Sequence, residues 1–497
     1  MCNPSYHSKM RSILVFIVAC CLVGGSAAYD LPDLGDSSST VFSSQDEKAL
    51  GHEIMLDIRS DRVYFDDPES VDFLNSVGNR LLAVSDDLGG QQFEFFLIQD
   101  SSLNAFALPG GYIGVHTGLM LAAENESELA SVLAHEISHV TQHHIARMIE
   151  AQSKNMPLSI AAMAAAILAA RSNPDASIGA VMGSQAGMVQ AQLDFTRENE
   201  READRLGIQR LLKSGYDPRG MASFFGKLQR YGRFYEGTSP AYLKTHPLTT
   251  ERLAEIQDKI QNLPYRQVQD GPDFQLIRAR IAALTGTPRE ALRYFDGRTL
   301  DIKRLEDRPM FYGKAVALWR AGKLDAAAST LAAVRAVSQP NALFDSLAAL
   351  IVHDEGHLDE AINMYHTALR HYPDQRALNY GYIQTLLDAH RDQEALDVIN
   401  NRLMLSRGDY HLYDLQARAY AHLDKQLLSH QALAESYLRQ GNLTAALDQL
   451  QIAVKSDDGD FYQNSSVEAR IREIKKELNA QNKKGDRSKL SGSFTEH

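Results

Sequence analysis

Leu133-Ala134-His135-Glu136-Ile137-Ser138-His139-Val140 reads H-E-x-x-H. On a helix, residues four apart share a face, so His135 and His139 can offer two imidazoles to one metal ion. Glu136 follows the first histidine, where its carboxylate can reach a water on that metal. Zinc would lower the pKa of such a water and polarise a carbonyl, while the glutamate takes and returns the proton. The helix is legible around the motif. Leu129, Val132, Leu133 and Val140 form an apolar stripe, and Asn125 with Glu128 forms a capping-box pattern at the start. Accident also produces a five-residue pattern with three fixed positions in long chains, so the context must carry the reading.

A zinc hydrolase needs a third protein ligand and an open position. Glu198-Asn199-Glu200-Arg201-Glu202-Ala203-Asp204 supplies the candidate. Glu200 and Asp204 are four apart, so a second helix can turn both to the metal. Glu200 would ligate, and Asp204 would accept the other N–H of a ligating imidazole, most readily that of His135. An ordinary charged helix face would show the same run. Its meaning comes from standing beside H-E-x-x-H.

Taken with Thr245-His246-Pro247-Leu248 and Glu251-Arg252, the H-E-I-S-H and N-E-R-E-A-D segments resemble the family-48 zinc metallopeptidases, to which the membrane CAAX-processing peptidases are distantly related. The resemblance implies a gluzincin-type peptidase domain with one zinc ion per chain and with His246 near the metal, as a fourth ligand or a regulatory residue. It assigns no role to Arg252. It also implies that the segment Asn104–Val115 forms the edge of a small sheet above the zinc, where an extended substrate could add as a strand. A plain structural hairpin is the alternative there.

The chain has 497 residues, 44% of them hydrophobic, enough for two or three domains with real cores. Its net charge of -12 argues against a nucleic-acid partner. Residues 1–28 read as a secretory signal: Lys9 and Arg11, an apolar run from Ile13 to Val23, then Ser26-Ala27-Ala28, with cleavage expected after Ala28. An uncleaved anchor would be short for a bilayer. A lipoprotein signal ending at Cys20 would have an unusually short apolar region. All three cysteines, Cys2, Cys20 and Cys21, lie in this segment. The mature chain would therefore have neither a disulfide nor a thiolate ligand.

The spacing predicts helices near 46–60 and 68–84, a strand over Gln91–Gln99, and two strands within Asn104–Val115 joined at Pro109-Gly110-Gly111. The motif helix is expected to continue to His143 and His144, with His143 near the metal or on the surface. Residues 156–190 are rich in Ala and Met. They read either as a buried helical hairpin or as a flap by the cleft that contacts a client or the membrane surface.

From about residue 270 the texture becomes repetitive. Gly322-Lys-Leu-Asp-Ala-Ala327 recurs as Gly356-His-Leu-Asp-Glu-Ala361, an offset of 356 − 322 = 34, the tetratricopeptide period. Ala395 continues it, since 395 − 361 = 34. Gly286–Ala291 and Gly441–Ala446 look like outer, degenerate members, with the regular period breaking after Ala395. The expected organisation is a signal at 1–28, a zincin-type α+β domain with a small sheet at 29–265, a predominantly helical repeat solenoid at 270–477, and a disordered tail at 478–497. Solenoids of this kind usually bind proteins. Together with the family resemblance, this implies a periplasmic endopeptidase that degrades stalled or misfolded outer-membrane proteins and has a chaperone-like role, its repeats contacting such clients and the barrel-assembly machinery. The alternative is mainly an assembly factor with a latent zinc site.

Overall fold

The computed structural model describes residues 43–153, 197–234, 240–263 and 268–492. The expected signal and the apolar 156–190 stretch lie outside the described residues. None of the described helices is long and apolar enough to cross a membrane.

The chain enters through α1 (Ser44–Ser60), started by a reciprocal capping box between Ser43 and Asp46. In α2 (Pro68–Leu82), Asp67 is the N-cap and Pro68 opens the first turn. Three strands follow: β1 (Glu94–Ile98), β2 (Ala105–Leu108) and β3 (Tyr112–His116). Their order is β1-β3-β2, with β3 parallel to β1 and antiparallel to β2. The expected hairpin forms, and it leaves β2 at the edge of the sheet. Its turn requires glycine, because Gly110 and Gly111 have φ of 83° and 93°, and a Cβ on Gly111 would lie 1.9 Å from the Gln92 carbonyl oxygen.

After the short α3 (Thr117–Ala122), the motif helix α4 (Glu126–Thr141) runs through the centre of the domain, with Glu126 to His139 buried throughout. It is walled by the sheet, by α2, and by α6 (Arg197–Ser214) and α7 (Arg219–Phe234). A helix enclosed in this way has no solvent face to keep polar. Its polar residues therefore need internal partners. α6 can lie close because residue 207 is glycine: a Cβ there would sit 2.9 Å from the Met221 terminal methyl and 3.4 Å from backbone atoms of Ala134 and His135. α5 (His144–Ser153) follows α4, and α8 (Ala241–Thr245) and α9 (Thr250–Gln261) close the domain.

Two local expectations are corrected. Asn125 does cap α4, accepting from the Glu128 N–H at 3.0 Å. The box is not closed, because Glu128 reaches one residue further back to the Glu124 N–H and is held by Ser223 and Lys227. The motif helix also stops at Thr141. His143 takes a left-handed φ of 50°, and a separate helix starts at His144.

The repeat region comprises α10 (Phe274–Leu284), α11 (Pro288–Asp296), α12 (Arg308–Arg320), α13 (Leu324–Arg335), α14 (Ala342–Asp354), α15 (Leu358–His371), α16 (Arg376–Asp388), α17 (Asp392–Leu405), α18 (Tyr410–His422), α19 (Gln426–Gln440), α20 (Leu443–Ala453) and α21 (Phe461–Gly492). The first helices of successive pairs begin at 274, 308, 342, 376 and 410, each step being 34. The period therefore outlasts Ala395 by one repeat, contrary to expectation. The left-handed turn position falls at Gly322, Gly356, His390 and Asp424, and the small inter-helix position at Ala327, Ala361, Ala395 and Ser429. The last unit is hidden in sequence because Asp and Ser replace Gly and Ala. The tail expected to be disordered from 478 instead continues α21 to Gly492. Val467, Ile471, Ile474 and Leu478 give that helix an apolar stripe that packs on Leu450 and Leu427.

The boundary near 265–270 is not a break in the core. One hydrophobic cluster runs from Phe73, Val115 and Leu133 through Phe274 and Ile277 to Tyr312 and Leu347. The N-terminal end of α2 is also held by the repeats: Arg280 pairs with Asp67 at 2.7 Å, Arg376 with Asp72 at 2.5 Å, and the Tyr410 hydroxyl donates to Asp66 at 2.8 Å.

Candidate metal centre

α4 turns His135 and His139 toward one point, their Nε2 atoms 2.9 Å apart. Glu200 comes from the facing α6, with Oε2 3.4 Å from His135 Nε2 and Oε1 3.5 Å from His139 Nε2. His246, at the end of α8, brings Nδ1 to 2.9 Å from Glu200 Oε1 and 3.4 Å from His135 Nε2. One donor atom from each of these four residues lies within 4.8 Å of the others, and all four side chains are buried.

Around this cluster stand the groups that orient it. Asp204, one helical turn beyond Glu200, places Oδ1 3.0 Å from His135 Nδ1, which leaves the Nε2 of that ring facing inward. Arg252 reaches in from α9, donating to both Asp204 oxygens at 2.9 and 3.0 Å and to the Pro247 carbonyl at 2.7 Å, with Nη1 also 2.7 Å from Glu200 Oε2. Tyr242 stacks on His246 with ring centroids 4.6 Å apart, and the edge of Phe225 meets His135 at 6.0 Å. His144 approaches His139 from behind, Nδ1 to Nδ1 at 2.7 Å. His143, by contrast, is partly exposed and faces Glu47 at 3.2 Å.

Charges in this enclosure shift strongly. Burial works against protonation of His135, but hydrogen bonds to Asp204 and Glu200 outweigh it and hold the ring up at about 9. Burial and the neighbouring His135 charge drive His139 well below the ordinary imidazole range. Burial would raise Glu200, yet the charge on His246 and the hydrogen bond from His135 keep it well below the usual carboxylate range. These shifts set one charged imidazole, His135, against one charged carboxylate, Glu200, and leave His139 neutral with a lone pair to offer.

The donor set fits zinc. Two imidazoles and a carboxylate converge, a third imidazole is in reach, and each type suits that ion. Glu136 provides an independent sign. Both its carboxylate oxygens are buried without a hydrogen-bond partner among the described residues, the nearest imidazole nitrogen being His246 Nε2 at 3.5 Å. An uncompensated buried carboxylate is costly unless something occupies the space it faces.

The structure thus brings together all six sequence candidates, His135, Glu136, His139, Glu200, Asp204 and His246. It adds Arg252, Tyr242, His144 and Glu202. Arg252 was visible as part of the Glu251-Arg252 pattern but had no assigned partner. His144 carried no helical-spacing signal, because the helix ends before it.

The peptidase family M48 model matches residues 72–260, and a tetratricopeptide-repeat model matches 352–419. The Beta-barrel assembly-enhancing protease of Escherichia coli K12 is 33% identical over 483 residues, covering 95% of this chain and 97% of that protein. The chain belongs to peptidase family M48. The protein of the same name in Yersinia pestis is 31% identical over 448 residues, covering 90% and 92%. The mitochondrial metalloendopeptidase OMA1 of Arabidopsis thaliana is 29% identical over 245 residues, covering 48% of this chain and 47% of that protein. The M48 match ends at the buried Ile260, one residue before the end of α9. The chain is a metallopeptidase with a predominantly helical α+β domain, followed by a helical repeat array.

Proposed function

We propose that this M48 metallopeptidase is a periplasmic zinc endopeptidase with a chaperone-like role, which degrades stalled or misfolded outer-membrane proteins, its repeats recruiting such clients and the assembly machinery that handles them. The observation that carries the chemistry is the convergence of His135, His139 and Glu200 beside Glu136, whose buried carboxylate has no hydrogen-bond partner among the described residues. The client class rests on the names of relatives that share nearly the whole chain. The compartment rests on the signal-like residues 1–28.

His135, His139 and Glu200 would hold the ion. When bound, zinc would polarise a peptide carbonyl and make a water acidic enough to attack at neutral pH. Glu136 takes the proton from the attacking water and passes it to the departing amine nitrogen. Asp204 keeps a proton on His135 Nδ1, so the opposite nitrogen, Nε2, presents its lone pair to the ion. The outer side of β2, which no described strand pairs, offers backbone groups on which an extended client can align. Exclusion of water comes from Phe225 and Tyr242, which wall the cluster with aromatic surface.

The presence of His246 among the donors favours a second reading, in which the resting enzyme is latent and assembly support dominates. Elemental analysis combined with casein proteolysis separates the two. The peptidase reading expects one zinc per chain and hydrolysis that a chelator abolishes. Stoichiometric zinc with no hydrolysis of any client would leave the assembly-factor reading. Absence of zinc from active protein would overturn the centre.

A further inference from the structure

Behind His139 lies a chain of polar contacts that the proposed chemistry does not use. α4 ends at Thr141, and the left-handed His143 turns the backbone. α5 then begins with His144, whose ring is fully buried and lies across that of His139 at 75°, centroids 4.7 Å apart. The Nδ1 atoms are 2.7 Å apart. His144 Nε2 lies 3.2 Å from Glu202 Oε2, and the same oxygen accepts from Arg147 Nη2 at 2.9 Å.

Ligation by His139 orders the protons along this chain of contacts. His139 Nε2 faces the donor cluster, so it must present a lone pair, and the ring proton sits on Nδ1. That proton needs an acceptor at 2.7 Å, so His144 Nδ1 carries a lone pair and its own proton sits on Nε2. Glu202 is there to accept it. Each ring proton then meets an acceptor, from the ligand His139 to His144 and from His144 to the carboxylate of Glu202. We infer that His144 is a positioning residue that fixes the tautomer and direction of His139 and links that ligand to the carboxylate of Glu202. This rests on the metal-centre reading above and adds a function for a residue outside the ligand set.

The arrangement mirrors the other histidine ligand. His135 takes its carboxylate partner directly from Asp204, whereas His139 receives the same service through one intervening ring. α6 supplies both ends: Glu200 and Asp204 share one helical face, and Glu202 points off it toward His144. A carboxylate behind a ligating imidazole makes the ring a better donor and holds its angle, and losing such a partner typically weakens metal affinity roughly 10–100-fold.

The test measures zinc affinity of the metal-free full chain by competition with a chromophoric chelator. Wild type should bind one ion tightly, and His139→Ala should lose that binding. His144→Leu should weaken it roughly 10–100-fold. His144→Asn should recover much of the loss, because its side-chain oxygen can accept the His139 proton, a rescue that mere packing would not produce. Glu202→Gln should weaken binding in the same direction by less, and His143→Asn, which tolerates the left-handed turn, should leave it unchanged. If His144→Leu matches wild type while His139→Ala does not, the relay is wrong and the metal centre stands. If wild type itself binds no zinc, the centre is wrong. Should the leucine variant fail to fold, His144→Phe takes its place, keeping a ring without the acceptor: wild-type affinity in both His144→Phe and Glu202→Gln overturns the relay.

Discussion

Arg252 holds Asp204 by two parallel hydrogen bonds, at 2.9 and 3.0 Å, and places its third nitrogen 2.7 Å from Glu200. One guanidinium thus compensates two carboxylates that are both buried. Removing one partner of a buried ionic group is costly, because it strands the others. Arg252→Leu should lower the stability of the metal-free protein by about 3–5 kcal/mol, and Arg252→Lys should recover little, since an ammonium cannot match the planar fork. Zinc should shrink the deficit, because the ion supplies the missing positive charge. Urea unfolding with and without zinc measures both. A deficit that is the same in the two forms would show that Arg252 does not share its carboxylates with the metal.

Glu136→Gln should retain zinc and lose proteolysis. The change preserves shape but removes the proton acceptor, and general acid–base groups typically contribute about 10²–10⁴-fold. Burial of both oxygens without hydrogen bonds means that the amide also loses little folding free energy and can gain some. The expected variant is therefore inactive, metal-bound and at least as stable as wild type. Wild-type turnover with zinc in place would assign the proton transfer elsewhere.

The candidate site was legible because its spacing is dictated by helix geometry: His135 and His139 stand four residues apart, and so do Glu200 and its neighbour Asp204. The solenoid was legible for the same kind of reason, as long as Gly and Ala marked its period. Where His390, Asp424 and Ser429 take over those places, the backbone repeats but the letters do not. Arg252 and His144 depend on which elements pack together, and no local period records that. Nor does any local signal show that Phe73 and Phe274 will share a core, because each is simply apolar in its own helix.

Those two rings lie 6.1 Å apart across the expected domain boundary, both buried. A chain ended before residue 270 would expose the peptidase face that α10 covers, so truncation would damage the core and recruitment together. Phe274→Ala is the sharper probe. Deleting a buried phenylalanine side chain costs about 3–5 kcal/mol. If peptidase domain and repeats unfold as one unit, a tryptic-resistance midpoint and the thermal midpoint should fall together. Separate transitions, with only the repeats destabilised, would show that the shared core is not cooperative.

The same junction should respond to pH. Glu69 is fully buried, and desolvation pushes its carboxyl up to about 7, against the attraction of Arg280 at 2.6 Å and with the charge of Asp67 adding to the rise. Asp67, held by Arg280 and Ser70, is lowered despite its burial. The signs oppose each other. The raised Glu69 contributes stability that is full below its unfolded value and is lost as pH rises through about 7. Asp67 contributes stability that is lost as pH falls below the ordinary carboxylate range. Between pH 5 and 8, wild type should lose up to about 3 kcal/mol from Glu69 alone, and Glu69→Gln should flatten that slope. Parallel profiles for the two proteins would show that Glu69 does not titrate in this window.

His246 stands where it can complete the donor set. Its Nδ1 is 2.9 Å from Glu200 and 3.4 Å from His135 Nε2, and its ring is clamped against Tyr242. A fourth protein ligand would fill the position that a zinc hydrolase keeps open for its reaction. Pro247 and the capped start of α9 follow directly, so moving the imidazole means moving the α8–α9 connection. That connection is tied to the same Arg252 that holds Glu200, through the Pro247 carbonyl at 2.7 Å. A latch at His246 would therefore have a definite mechanical partner in Arg252. His246→Ala should keep zinc, since His135, His139 and Glu200 remain, and should raise basal casein hydrolysis and self-cleavage. The opposite result is chemically reasonable: an imidazole here could donate to the developing oxyanion, and its loss would then abolish turnover with zinc still bound. Measuring zinc content and initial rates on the same preparation separates the two, and an inactive, zinc-loaded His246→Ala enzyme ends the latch interpretation.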